Sequence, residues 1–515
     1  MYPDFCAPCT PIPPAPLGER LATTRQLLTE NFAEIVRQIA GDRPVEILQP
    51  FGARMVVVRD AAVFRRLDDS GALDRGASHD VVQRIFGEKT LFLLPQGADH
   101  TRKKAELKSR LGKDDIQRMV PAIAGAAARA VDGILQRADA PVDMNEQVLH
   151  YLFAVAGQAM AGVPVELGSH VRRFQGAVDT IIATASSTLK LALASLNGLL
   201  ADLLSGDAQA AAQGMFEIGR ALIEAGRQNP QPNLVRDMLE RHGLEPAAAG
   251  TDRELPQELL HDVAMTFAAS IFTTSNLLLA VLDHFYRDPA ELAQMRELIA
   301  QDYPDGVGEA TALLHNPTTC KLVEVLLSHS PVGIVVRDVA ATYCLDDGDG
   351  GEHKLEPGDM VAFDLGSMQK RLAAQQAARL AEAPAGSPLL DCLDARHNDV
   401  TVTFFRGIFQ CPGRFLALAD AMFFVLQILP RMDARWLDGD KILQPALVNF
   451  LSGSSLMRVC PVQQQLHEAL HRNLHGTPAP DAPAPAGLPP LQGAAPVRPA
   501  GPAGPVRPAG HPLHL

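Results

Sequence analysis

Apolar residues recur at i, i+3 and i+4 through four long segments of the chain. They are ATTRQLLTENFAEIVRQIA (22–40), DIQRMVPAIAGAAARAVDGILQRA (115–138), NEQVLHYLFAVAGQAMAG (145–162) and DPAELAQMRELIAQ (288–301). That period lines one face of a helix, so each segment predicts one. Alternating or continuous apolar runs are fewer and shorter: PVEILQPFGARMVVV (44–58), GIVVRDVAATYCL (333–345) and DMVAFDLG (359–366). These predict strands. The turn DDGDGGEHKLEPGD joins the last two as a hairpin, and its acidic cluster lacks calcium-loop spacing. The expected fold class is mainly α with small β-sheets (α+β) in a single large helical domain.

Val263 to Leu282 carries no charged residue and is long enough to span a bilayer. It holds Thr266, Ser270, Thr273, Thr274, Ser275 and Asn276, which favours a buried core helix over a membrane span. Residues 1–20 form a Pro-rich extension, and no basic segment followed by an apolar one marks a secretory signal. Residues 21–475 show no internal boundary. Residues 476–515 are rich in Pro, Ala and Gly, repeat PVRPAG and read as a disordered tail, because they bury too little apolar surface to offset ordering entropy.

Charge and cysteine count narrow the function. Lys and Arg total 46 against 59 Asp and Glu, a net charge of −13. Such a chain repels a phosphate backbone, so nucleic-acid binding is not expected. Seven cysteines in 515 residues are too few for a disulfide scaffold and suit a reducing, cytoplasmic setting.

One cysteine stands apart. FFRGIFQCPGRFLA places Phe404, Gly407, Cys411, Gly413 and Ala417 at the spacing F-x-x-G-x-x-x-C-x-G-x-x-x-A. An apolar helix follows, with Pro412 at its first position. The positive end of that helix is expected to hold a sulfur anion and lower its pKa. Gly407 and Gly413 let backbone lie close to a flat ligand. The competing reading is a buried cysteine acting as a small hydrophobe. Cys6 and Cys9 form a C-x-x-C pair without a second pair, so no zinc site is expected.

These residues resemble the cysteine segment of the cytochrome P450 superfamily, the haem-thiolate enzymes, in a divergent soluble bacterial-type form. The resemblance implies haem b (iron protoporphyrin IX) with the Cys411 thiolate as axial ligand. It extends over about 20–475. QGADHTRKKAELKSRL resembles the C helix, with His100 and Lys104 at the positions that meet a haem propionate. HSPVGIVVR resembles the strand whose arginine, here Arg337, does the same. LDARHNDVTVTF resembles the meander, with Arg396 at its arginine, and FAASIFTTSNLLLAVLDHFYRDP resembles the I helix over the haem.

Three positions depart from the family pattern. The K-helix E-x-x-R becomes Glu324 with Leu327, leaving Arg396 as the partner expected for Glu324. The cation two before the cysteine becomes Phe409, which implies weaker haem retention or an altered propionate pose. The I-helix A-G-x-D/E-T becomes Ala269, Ser270, Ile271, Phe272 and Thr273. A phenyl group cannot relay protons, although Thr273 and Thr274 remain as candidate catalytic alcohols.

The resemblance implies a monooxygenase of a mid-sized, largely apolar small molecule in specialised metabolism. Expected pocket walls are Phe86, Phe92, Ala268, Ala269, Phe272, Val332, Ile334 and Leu451. No flavin or iron–sulfur module is evident, so electrons would come from a separate ferredoxin or flavodoxin-type donor with its reductase. Arg102, Lys103, Lys104, Lys108, Arg110, Lys113, Arg406 and Arg414 are the docking cations expected. Two alternatives stand: a haem-thiolate dehydratase, isomerase or peroxygenase that does not activate dioxygen, and a catalytically silent recruitment module.

Overall fold

A computed structural model describes residues 43–48, 54–75, 83, 86–87, 89–138, 140–165, 170–186, 198–244, 255–309, 311–329, 331–347, 351–397, 404–405, 409–437, 443–444, 450–451 and 455–462. The extension at 1–20, the helix expected at 22–40, Arg406, Gly407 and the tail at 476–515 lie outside the described residues, as do the side chains of Arg396 and Leu451.

β1 (Val45–Leu48) and β2 (Met55–Val58) pair antiparallel. The Asp60 carboxylate then accepts from the Ala62 and Val63 amides and starts α1 (Ala61–Asp69), because the first amides of a helix lack intrahelical partners. After β3 (Leu73–Asp74) come α2 (Ala98–Arg110), α3 (Lys113–Leu135), β4 (Val142–Asp143), α4 (Met144–Ala161), α5 (His170–Ser186), α6 (Gly198–Gln228) and α7 (Leu234–Arg241). Next are α8 (Gln257–Arg287), α9 (Pro289–Asp302) and α10 (Pro317–Ser328), the last begun by a reciprocal cap between Asn316 and Thr319. β5 (Ile334–Val339), β6 (Tyr343–Asp346), β7 (Glu352–Leu355) and β8 (Met360–Asp364) precede α11 (Leu365–Ala381), α12 (Leu389–His397) and α13 (Arg414–Ile428). β9 (Met432–Trp436), β10 (Leu443–Gln444), β11 (Phe450–Leu451) and β12 (Leu456–Pro461) follow.

The largest sheet has the order β1-β2-β8-β5-β3, with β2 and β8 parallel and the other neighbours antiparallel. Side chains alternate across it. Val56, Val58, Val361 and Phe363 pack on Phe64 and Leu67 of α1, whereas Leu48, Met55, Val57, Ile334 and Ala362 form a second cluster. With both sides covered, β2 reads as an unbroken apolar run. The predicted strand at 333–345 divides into β5 and β6, and the hairpin is β6–β7, inserted between the paired β5 and β8.

The helical core is built where α3, α4 and α13 pack and α8 lies against α4 and α13. α8 has 31 residues, about 45 Å at 1.5 Å per residue. It is long and apolar enough to cross a membrane by length and composition, yet most of its side chains are buried inside the protein. Phe267 at its centre is 1 % exposed and meets Phe153 and Phe174 edge-to-face. Truncating such a residue costs about 3–5 kcal/mol. The cysteines depart in one respect from the expected reduced set: Cys344 in β6 is disulfide-bonded, while Cys320, Cys392, Cys411 and Cys460 are outside any disulfide.

Candidate active site

Along the middle of α8 the burial breaks in one stripe. Met265, Ala269, Ser270, Phe272 and Thr273 are half-buried, while residues 266–268, 271 and 274–278 are buried. Spacings of four, five, seven and eight lie on one side of a helix, so α8 carries a single half-buried face along its middle. Thr273 lies in that stripe, and Thr274, only 2 % exposed, packs away from it. The hydroxyls here bond back into their own helix. Ser270 Oγ donates to Phe267 O at 2.8 Å, Thr273 Oγ1 to Ala269 O at 2.8 Å, Thr274 Oγ1 to Ser270 O at 2.7 Å and Ser275 Oγ to Phe272 O at 2.9 Å. Each has thereby spent its one proton, and its lone pairs remain as acceptors. Phe272, in place of a carboxylate, lies in the same half-buried stripe.

The cysteine segment leads into α13. The Cys411 amide donates to Phe404 O at 2.7 Å, closing the loop on itself, and the Gly413 amide donates toward the Cys411 sulfur. α13 begins at Arg414 with Gly413 as its cap, so Pro412 precedes the helix instead of opening it. The sulfur's protonation also differs from expectation. Burial pushes the Cys411 thiol upward, against the Gly413 amide, Arg414 and Lys104, which pull it down. The helix end stabilises the anion, but desolvation outweighs it.

Beside this loop sits a dense group of basic side chains. His100 and Lys104 lie one turn apart on α2 and are buried, as is Arg337 on β5. Burial holds His100 near pKa 4, with Arg75 and Lys104 adding to the effect. Burial, then Lys108, brings Lys104 down to about 7, and Cys411 opposes this by attraction. Phe409 is at the centre: its ring centroid is 4.8 Å from Arg75 Cζ, 4.9 Å from Arg337 Cζ and 5.7 Å from the His100 ring. The structure thus brings together His100, Lys104, Arg337, Phe404, Cys411 and Gly413. It adds Arg75, which no local pattern marked. Among the described residues neither Arg75 nor Arg337 has a carboxylate at ion-pair distance; Asp74 attracts both from farther off, and Asp68 and Asp338 attract Arg337. Arg337 Nε is buried with no hydrogen-bond partner. Buried cations of this kind call for an anion.

Other expectations change. Glu324 pairs with Lys321 at 3.5 Å, and Leu327 at the family's arginine position is buried; the Arg396 side chain expected beside Glu324 lies outside the described residues. Ile334 belongs to the sheet cluster, not to a pocket wall, because its side chain falls on the face shared with Val57 and Ala362. Phe86 and Ala268 are buried, Phe86 edge-to-face with Phe216, while Phe92, Ala269, Phe272 and Val332 stay half-buried. The basic run on α2 and at the start of α3 is no continuous docking face: Lys103 and Lys104 are buried, Arg110 pairs with Asp237 and Lys113 with Asp391. His242, Glu258 and Asp262 bring metal-ligand atoms within 4.8 Å of one another. Lys103 and Arg241 already neutralise those carboxylates, so the cluster is an ion-pair hub.

The family model of Cytochrome P450 matches residues 17–309, more than half of the chain, and ends ahead of the cysteine segment. No curated protein matches the chain. The family implies haem with a cysteine thiolate ligand, and the residues here suit that group. A loop-held sulfur meets the amide of Gly413, and buried guanidiniums with no carboxylate at ion-pair distance among the described residues lie beside it, where an acidic macrocycle needs cations. The chain belongs to the cytochrome P450 family, the haem-thiolate oxidoreductases.

Proposed function

We propose that the chain is a haem-thiolate monooxygenase of a mid-sized, largely apolar small molecule in specialised metabolism, with Cys411 as the residue whose thiolate would hold the haem. The observation that carries this is the convergence of Arg75, His100, Lys104 and Arg337 on the Cys411 loop. In this reading those side chains bind the haem carboxylates, Gly413 N–H supports the sulfur, and Phe404 O fixes the loop. Bound haem would supply redox-active iron, whose thiolate ligand pushes electron density toward O–O cleavage. In this reading the half-buried stripe of α8 would line the substrate space. Met265, Ala269 and Phe272 exclude water and favour an apolar substrate, and Thr273 offers lone pairs that orient a water or a substrate donor. Electrons would come from a ferredoxin or flavodoxin-type donor with its reductase, in the cytoplasm.

A second reading, a dehydratase, isomerase or peroxygenase that does not activate dioxygen, is favoured by one feature: Phe272 lies in the half-buried stripe while Ser270, Thr273, Thr274 and Ser275 donate into their own helix. No side chain in that group is a proton donor of the usual carboxylate kind. Turnover of a small-metabolite panel separates the two. One arm carries surrogate ferredoxin and reductase, a second hydrogen peroxide alone, and a third neither. Oxygen insertion only in the first arm is the expected result. Rearranged product with neither electrons nor peroxide overturns the monooxygenase reading.

A further inference from the structure

Position 409 is where the family resemblance places a cation, and the chain has a phenyl ring there. That ring is not an inert replacement. Two guanidinium carbons lie within 5 Å of its centroid, Arg75 at 4.8 Å and Arg337 at 4.9 Å. The negative face of an aromatic ring attracts such cations. Each arginine is anchored on its outer side. Arg75 Nη1 donates to Leu91 O at 2.7 Å and to Leu94 O at 3.1 Å. Arg337 Nη1 donates to Val336 O at 2.9 Å, and its guanidinium also lies 5.1 Å from the Phe405 ring. Phe405 reaches that place through a left-handed backbone, φ 54°, the single non-glycine residue with positive φ among those described. An unfavourable conformation is thus kept where it sets a ring between Arg337 and Phe64.

Two like charges held together on one ring are drawn to an anion in direct contact. Asp74, Asp68 and Asp338 attract the pair only from a distance, and the Asp74 carboxylate accepts from the Arg75 and Gln96 amides instead. Burial, reinforced by repulsion from Arg337 and only partly opposed by Asp74, drives Arg75 down to about 9, so the pair is costly as it stands. A guanidinium is a planar fork that matches a carboxylate, and two forks suit a ligand with two carboxylates.

We propose that Phe409 is a positioning residue that makes Arg75 and Arg337 a paired guanidinium clamp for the two haem carboxylates, so that Arg75, after β3, supplies the cation missing at position 409. This rests on the haem-thiolate reading above.

The test is the rate of haem transfer from purified holoprotein to excess apomyoglobin, for the wild type, Arg75→Gln, Phe409→Leu and the double variant. Arg118→Gln, at an exposed arginine paired with Asp115, controls for net charge. Each is repeated with haem dimethyl ester, which lacks the carboxylates. Arg75→Gln is expected to speed loss of native haem about tenfold, the worth of one hydrogen bond to a charged group, and to leave the ester unchanged. Phe409→Leu is expected to act in the same direction, and the double variant to show less than the product of the two effects. Phe409→Tyr, which keeps the ring, is expected to retain the wild-type rate. The proposal is overturned if Arg75→Gln behaves like Arg118→Gln, or if the ester is released faster to the same degree. A wild-type chain that takes up no haem overturns the haem reading itself, whereas a wild type that loads haem with unaltered loss in Arg75→Gln removes only the clamp.

Discussion

Asp262→Ala is expected to destabilise the protein more than any other single charge removal on α8. Asp262 is 3 % exposed. Its Oδ2 meets Lys103 Nζ at 2.6 Å and Arg241 Nη2 at 2.8 Å, and its Oδ1 accepts from the Leu91 amide at 3.3 Å. One carboxylate therefore joins α2, α7, α8 and the segment before α2. Breaking one side of a buried ion pair costs about 3–5 kcal/mol, because the remaining charge stays buried. Here both cations keep a second carboxylate: Lys103 has Glu258 at 2.8 Å, and Arg241 has Glu106. The lower end of that range, about 3 kcal/mol, is the reasoned value, with about 1 kcal/mol more for the amide left without an acceptor. Urea denaturation of the haem-free protein measures it as a lowered midpoint at constant slope. Asp262→Ala combined with Lys103→Met is expected to recover about 1 kcal/mol or more, since no lysine is then left buried beside a missing partner. A loss under about 1 kcal/mol in the single variant, in the range of exposed pairs, would refute the reasoning.

Three further outcomes follow from the site. His100 has its pKa held near 4, below the ordinary 6.5. The unfolded chain therefore binds this proton first as pH falls, so stability is full above about pH 6.5 and declines toward pH 4, by on the order of 3 kcal/mol in total. His100→Gln is expected to flatten that acid limb, measured by denaturation of the haem-free protein, and an unchanged limb would contradict the burial of a neutral imidazole. Phe272→Asp is expected to raise oxygen-dependent turnover, in the 10²–10⁴-fold range typical of a restored acid–base group as its ceiling; no change would mean protons arrive by another route. Thr273→Ala is expected to alter turnover with stability within about 0.5 kcal/mol, whereas Thr274→Ala, at a buried position, is expected to lower stability and leave turnover intact; the reverse pattern in paired melting and turnover assays would contradict the face assigned to α8.

Much of the scaffold was legible because it is written locally. The 3.6-residue period gave the helices at 113–135, 144–161 and 289–302 within two or three residues. The glycine and phenylalanine spacing around Cys411 marked the loop that the structure closes through Phe404 O. What escaped depends on contacts between distant segments. Arg75 has no period or motif around it, and it acquires a role only where Phe409 arrives from the far end of the chain. The one available signal was the missing cation at 409, which implied that another had to stand nearby. Thr273 and Thr274 are neighbours in sequence, but 100° of helix turn separates them, and only packing tells which one lies in the half-buried stripe. Glu324 shows a local pairing that the motif did not mark: it meets Lys321 one turn back.

The central claim is that the Cys411 sulfur binds haem iron. Reducing the purified holoprotein with dithionite, adding carbon monoxide and recording the difference spectrum tests it most directly. The account predicts the red-shifted Soret band of a thiolate-ligated carbonyl haem, abolished in Cys411→Ser. A spectrum without that band, or one that Cys411→Ser leaves unchanged, would contradict it.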